Sequence, residues 1–303
     1  MRILNNLAQY INSFLSLFDI KIIKLKPYIV FRPEESICHN PRTILGVNFN
    51  KNSIFRVPLN KGRTSRWFDL GKSSRDPALF FLRKGIELNL NKHEMEKYLI
   101  NRLNKHNDIV RPNNAGEQVG LKAPLNNYLS SMPYWAKVLP WEDCSIEEKF
   151  KSFPNSVKQD RKKSGLRIKS DNPEEIMLID KNFSIDSHVH QYLYLLHSIR
   201  SKGLISNRKN GYISAFFLFH NNSWRWILGG EGNHRAIVAS ALNMDFVDVC
   251  VEGIIRYDDL EWWPNVCNGL YTKEEAEFIF ESIFYGTPSF IYENWINHLK
   301  NQK

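Results

Sequence analysis

The stretch Gly229-Gly230-Glu231-Gly232-Asn233-His234-Arg235-Ala236 constrains this chain more than any other. It follows a strand-like run and opens a helix-like one. Glycines let a backbone turn sharply and approach another group closely. The start of a helix presents unpaired N–H groups and a partial positive charge, a combination that suits phosphate. His234 and Arg235 add side-chain donors at the same place. The predicted element is a phosphate-binding turn.

The surrounding pattern in the C-terminal half is regular. Residues 187–201 predict a helix with Val189, Leu193, Leu196 and Ile199 on one face, closed by Gly203 as C-cap. Residues 211–219 predict a strand, Asn221-Asn222 a turn, and residues 224–228 the returning strand. The glycine turn, a helix over 234–242 and a strand over 246–255 follow. Thr272 and Glu275 form a capping box that opens one more helix over 272–284.

The first half is less regular. Residues 1–18 carry apolar residues at helical spacing, predicting an amphipathic helix that either docks on the body of the protein or lies on a membrane surface, with Lys21, Lys24 and Lys26 just after it. A strand is expected over 21–31, a β-hairpin over 44–59 and a polar loop over 62–66. Asp76-Pro77 opens a helix, and Asn91 opens a charged helix over 91–106. Residues 107–133, rich in Asn, Gly and Pro, predict a long loop or linker. Ser145 and Glu148 form another capping box. A soft boundary near 108–135 divides an N-terminal region (1–135), of unclear α/β fold, from a C-terminal domain (136–303).

Of the 303 residues, 43% are hydrophobic, enough for a sizeable core. The formal charge of +9 points to a polyanionic partner: nucleic acid, an anionic membrane surface or a phosphorylated substrate. Cys38, Cys144, Cys250 and Cys267 form no CxxC pair, which argues against a zinc site and suits a reducing cytoplasm; Cys250 reads as a buried thiol. No apolar run reaches the length of a membrane span.

The order helix, strand, strand, glycine turn, helix, strand resembles the ParB/sulfiredoxin superfamily. The segment Leu195-Leu196-His197-Ser198-Ile199-Arg200-Ser201-Lys202-Gly203 is similar to the helix ahead of the strand pair in ParB-like domains. Gly230-Glu231-Gly232-Asn233-His234-Arg235-Ala236 is similar to their G-E-R-R-type turn in a variant form, closer to the G-G-C-H-R turn of sulfiredoxins and the D-G-x-H-R turn of free-serine kinases. The likeness covers about residues 185–256, or from 140 if Pro140-Trp141 supplies an edge strand. It implies an α+β fold with a mixed sheet. Asn233 stands where sulfiredoxins have Cys, which argues against sulfinic acid reduction, and the double arginine of chromosome-partitioning ParB is absent.

The resemblance implies a nucleotide-dependent phosphotransferase using ATP or ADP with Mg²⁺, acting on a hydroxyl of a small molecule or a glycan intermediate. Gly230, Gly232, Asn233, His234 and Arg235 are the expected nucleotide-binding residues. His234 and Glu231 are the expected catalytic pair, with Glu231 the candidate Mg²⁺ ligand. A purely structural reading stands beside it, with Glu231 salt-bridged to Arg235 and His234 capping a helix. The rival function is a ParB-like DNA-binding protein or a nuclease-like module. Lesser candidates are an Asp186–His190 metal pair, an anion-binding loop at 62–66, an acceptor wall at Trp141-Glu142-Asp143, a phosphate contact at Arg161-Lys162-Lys163, and an aromatic wall at Trp262-Trp263. Each of these has a plain alternative as a solvated face, a flexible loop, a cap or core packing.

Overall fold

The computed structural model describes residues 29–31, 53–163, 165–205 and 211–300. The amphipathic segment 1–18, the first arm of the hairpin at 44–49 and Cys38 lie outside the described residues. The architecture is α+β around one open, mixed sheet. Its strands are β1 (Ile29–Phe31), β2 (Ser53–Pro58), β3 (Gly62–Arg63), β4 (Ile213–His220), β5 (Ser223–Leu228) and β6 (Phe246–Arg256), in the order β1-β2-β6-β4-β5-β3. β4 and β5 form the expected antiparallel hairpin around Asn221 and Asn222, whose φ values of 44° and 59° suit an asparagine turn.

The helices are α1 (Pro77–Glu87), α2 (Lys92–Ile109), α3 (Ala115–Gln118), α4 (Asn127–Ser131), α5 (Ile146–Lys163), α6 (Pro173–Lys202), α7 (Asn233–Ala241), α8 (Pro264–Cys267), α9 (Lys273–Tyr285) and α10 (Glu293–Lys300). They cover both faces of the sheet. Alternation along β4 sends Ile213, Ala215, Phe217 and Phe219 into one core, shared with α1, α2, α6, α7 and α10. Phe216 and Leu218 face the other, shared with α3, α4 and α9. Among the described residues no helix is long and apolar enough to cross a membrane.

Several sequence expectations change here. Residues 107–133 are not a bare linker: α3 and α4 lie within them, and Ala115, Val119, Leu121 and Leu129 are buried in the second core. Where a soft boundary was expected near 108–135, strands from either side share one sheet, β2 pairing with β6 and β3 with β5. Gly62-Arg63 is a short edge strand rather than loop. Helix α6 begins at Pro173, well ahead of 187, because Asn172 accepts from Glu174 N and Glu175 N and Pro173 fills the first turn. Pro140 and Trp141 form a turn, not an edge strand. Cys250 is only partly buried.

A register shift between Ala215 and Phe216 sets Ala215 opposite Val251 but Phe216 opposite Gly253, so Glu252 is the extra residue of a β-bulge. Its carboxylate lies against Gly229, where a Cβ would come within 2.5 Å of Glu252 Oε2. The bulge thus sits beside the glycine turn.

Candidate functional site

The turn leaves β5 and enters α7 as its residue types predict. Gly232 is the N-cap at φ 78°, and a Cβ there would lie 2.7 Å from Ile213 Cα. Ser214 closes the turn: Glu231 N donates to Ser214 Oγ at 2.8 Å and Ser214 N donates to Glu231 O at 2.9 Å. No side chain caps α7, so its first amides are available to an anion. Gly230 is exposed, and a side chain there would meet nothing within 4 Å.

The expected site residues point in different directions. Arg235 donates to Gly211 O at 2.7 Å and Tyr212 O at 2.9 Å, so its fork holds the start of β4 against the turn. Glu231 is exposed, and its charge acts on Arg235 and on Cys250. Asn233 Oδ1 is buried and accepts no hydrogen bond. An amide oxygen in that position suits a hydroxyl donor better than a phosphate oxygen.

His234 turns the other way, onto α6. Its Nε2 and His188 Nδ1 share a hydrogen bond at 2.8 Å, and the rings lie 4.9 Å apart with Tyr192 equally close to His234. Burial pushes His188 down to about 3, helped by His234, Arg161 and Arg66. Burial likewise pushes His234 down to about 4, helped by Arg161 and Arg66. The pair is therefore neutral at physiological pH, one ring donating and the other accepting.

Two cations thus reach the histidines from separate elements. Arg66 lies on the loop after β3, where Arg66 N donates to Thr64 Oγ1. Desolvation opposes its charge, but Asp76, Tyr292 and Tyr192 outweigh that and raise its pKa. Its contact with Asp76 is loose at 3.5 Å, and 39% of the side chain stays exposed. Arg161 of α5 is buried and paired with Asp180 of α6. A third cation, Lys137, donates from Nζ to Ser65 O at 3.4 Å. Burial lowers its pKa to about 8, with Arg66 and Lys149 adding to the effect and Glu142 opposing it. Lys137 and Arg66 are both partly exposed, on either side of the Ser65 carbonyl.

Sequence reasoning missed the convergence of Arg66, Arg161 and His188 on His234, and the place of Lys137 beside Arg66. The signals were local: His188 and Tyr192 are four apart on α6, beside Val189 and Leu193, and the 62–66 stretch already read as an anion-binding candidate. Other candidates have structural partners. His190 Nε2 bonds Glu96 Oε1 at 2.8 Å. Trp141 packs on Trp263 and Phe280, and Glu142 accepts from Leu139 N and pairs with Lys149. Trp263 is core, whereas Trp262 is exposed. Among the described residues no group of three or more His, Cys, Asp or Glu could hold a metal. A groove of about 530 Å³ lies on the α2 surface, lined by Lys97, Ile100 and Lys105 among others, and contains neither the histidine pair nor Arg66, Lys137 or Arg161. No family model, curated protein or solved structure matches this chain.

The neutral histidines make stability acid-sensitive. In the unfolded chain they take up protons near 6.5, whereas the folded pair resists until about 4 and 3, and buried His106 until about 4. The unfolded state therefore binds more protons between these limits, and stability falls as pH drops from about 6.5 toward 4. Thermal unfolding at pH 7 and pH 5 checks this: a lower Tm at pH 5 is expected, with a smaller drop in His188→Gln. Equal Tm values at the two pH values would exclude a neutral buried pair.

Proposed function

We propose that this chain is a nucleotide-dependent phosphotransferase with a ParB/sulfiredoxin-like fold, acting on a hydroxyl of a small molecule or glycan intermediate. The observation that carries the reading is the approach of Arg66 and Arg161 to the hydrogen-bonded His188–His234 pair at the uncapped start of α7, with Lys137 beside Arg66. Phosphoryl transfer needs held phosphates, neutralised charge and an oriented acceptor. Arg66 and Arg161 supply planar forks for phosphate oxygens, and Lys137 a point charge.

The acceptor oxygen attacks the terminal phosphorus, the bond to the bridging oxygen breaks, and the nucleoside diphosphate leaves. The acceptor proton passes to the imidazole pair. A bound triphosphate favours the imidazolium form and so raises the pair's pKa toward neutrality, where a general base is most effective. Arg235 acts through the turn, fixing it against β4. Glu231, with Glu252 beside Gly229 of the same turn, would hold Mg²⁺. The ion would supply charge neutralisation at the phosphates.

The test uses Mg-ATP, with calorimetry for binding and phosphate release to water as a probe of transfer. Wild type is expected to bind and to hydrolyse slowly. His234→Gln should lower turnover by about 10²- to 10⁴-fold, the usual worth of a general base, with binding changed only a few-fold. No heat with Mg-ATP or Mg-ADP would refute the proposal, and salt-sensitive retention on duplex DNA in its place would favour a DNA-associated module.

A further inference from the structure

An aromatic shelf lies on the segment that leads into Lys137 and is not used by any step above. The short turn Tyr134–Ala136 packs on α5, and Trp135 lies nearly parallel to Phe150 and Phe153, with centroids 5.0 Å and 6.5 Å away and interplanar angles of 22° and 17°. Trp135 is only half-buried, so the ring keeps solvent exposure while two phenyl rings back it. Tyr134 beside it is 40% exposed and within electrostatic reach of Asp180, the partner of Arg161.

The shelf and the cations share their supports. Lys137 is two residues beyond Trp135, and Arg161 lies on α5 eight residues beyond Phe153. At 1.5 Å rise per residue that is ~12 Å along the helix. The ribose and phosphates of one nucleotide can bridge such a gap. A half-buried indole stacked on two phenyl rings, with Lys137 two residues on, is chemistry for a flat ring attached to a polyanion.

Resting on the phosphate-site reading above, we propose that Trp135 stacks the base of the bound nucleotide, with its phosphates directed toward Lys137, Arg66 and Arg161. Stacking uses the π-face that every base has, so the site tolerates different bases. ATP and GTP therefore bind with similar affinity.

Calorimetry with Mg-ATP and with Mg-tripolyphosphate, which has no base, separates the two ideas. Wild type should bind ATP more tightly than tripolyphosphate. Trp135→Leu should weaken ATP about 10- to 100-fold, the range of one lost base stack, and leave tripolyphosphate within about two-fold. Trp135→Tyr, which restores an aromatic face, should recover most of the ATP affinity. If ATP and tripolyphosphate bind wild type equally, or if Trp135→Leu leaves their ratio unchanged, the stacking role is overturned while the phosphate site stands. Loss of both ligands in Trp135→Leu and Trp135→Tyr alike would assign Trp135 to the fold and overturn the proposal. Failure of both ligands on wild type would overturn the phosphate site, and the shelf's role with it.

Discussion

Arg66→Ala is expected to weaken Mg-ATP binding by about 100-fold. A charge-assisted, forked hydrogen bond is worth about 1.5–3 kcal/mol, and each 1.4 kcal/mol is roughly tenfold in affinity. Arg66 holds Asp76 only loosely at 3.5 Å, so its fork can turn to a ligand. Asp76 is fully buried and its Oδ2 loses its counter-ion, although Oδ1 still accepts from Ala78 N and Leu79 N as the cap of α1. Tm should therefore fall as well, and affinity is read at a temperature where the variant is folded. Arg66→Lys keeps the charge but not the fork and should fall between the two. Calorimetry with a parallel melting curve checks this, and unaltered affinity in a folded Arg66→Ala protein would remove Arg66 from the site.

Arg63→Met is expected to cost about 3 kcal/mol of stability. Arg63 is a buried guanidinium at the edge of the sheet, 4% exposed. It donates to Ile283 O at 3.0 Å, Phe284 O at 2.9 Å and Gly62 O at 3.0 Å, so it satisfies carbonyls at the end of α9. Burial, with Arg225 nearby, lowers its pKa to about 10, leaving it charged at neutral pH. Methionine fills similar space but donates nothing, and each buried acceptor left without a donor costs about 1–3 kcal/mol. In a protein this size 1 kcal/mol moves Tm by roughly 2–4 °C, so a drop of about 6–12 °C is expected by scanning calorimetry. A Tm within about 2 °C of wild type would mean that water replaces the guanidinium.

Much of the framework was readable because its signals are local. The helix start at Asn91 and the capping box of Thr272 with Glu275 sit where the sequence put them, as does the Ser145–Glu148 pair. Gly203 ends α6 at φ 74°, and the β4–β5 hairpin follows from its asparagine turn. What escaped was non-local. Two residues of β3 are a strand only because Gly62 and Arg63 find Trp226 and Ile227 far along the chain. α3 and α4 are short, and their buried Ala115, Val119 and Leu129 are thinly spread among turn-forming residues. The site divides in the same way. The glycine turn is contiguous and was legible, but His188 meets His234 across 46 positions, and no periodicity announces that pairing.

Arg63 ends β3 and grips the end of α9, and Arg66 follows three residues later on the loop, paired with Asp76. Tyr292 lies close enough to raise the pKa of Arg66, and Trp295 Nε1 donates to Arg75 O just ahead of α1. Late-synthesised segments thus anchor the early loop that carries Arg66. During translation the surroundings of Arg66 cannot be completed until roughly residue 295 has left the ribosome, however early the glycine turn forms.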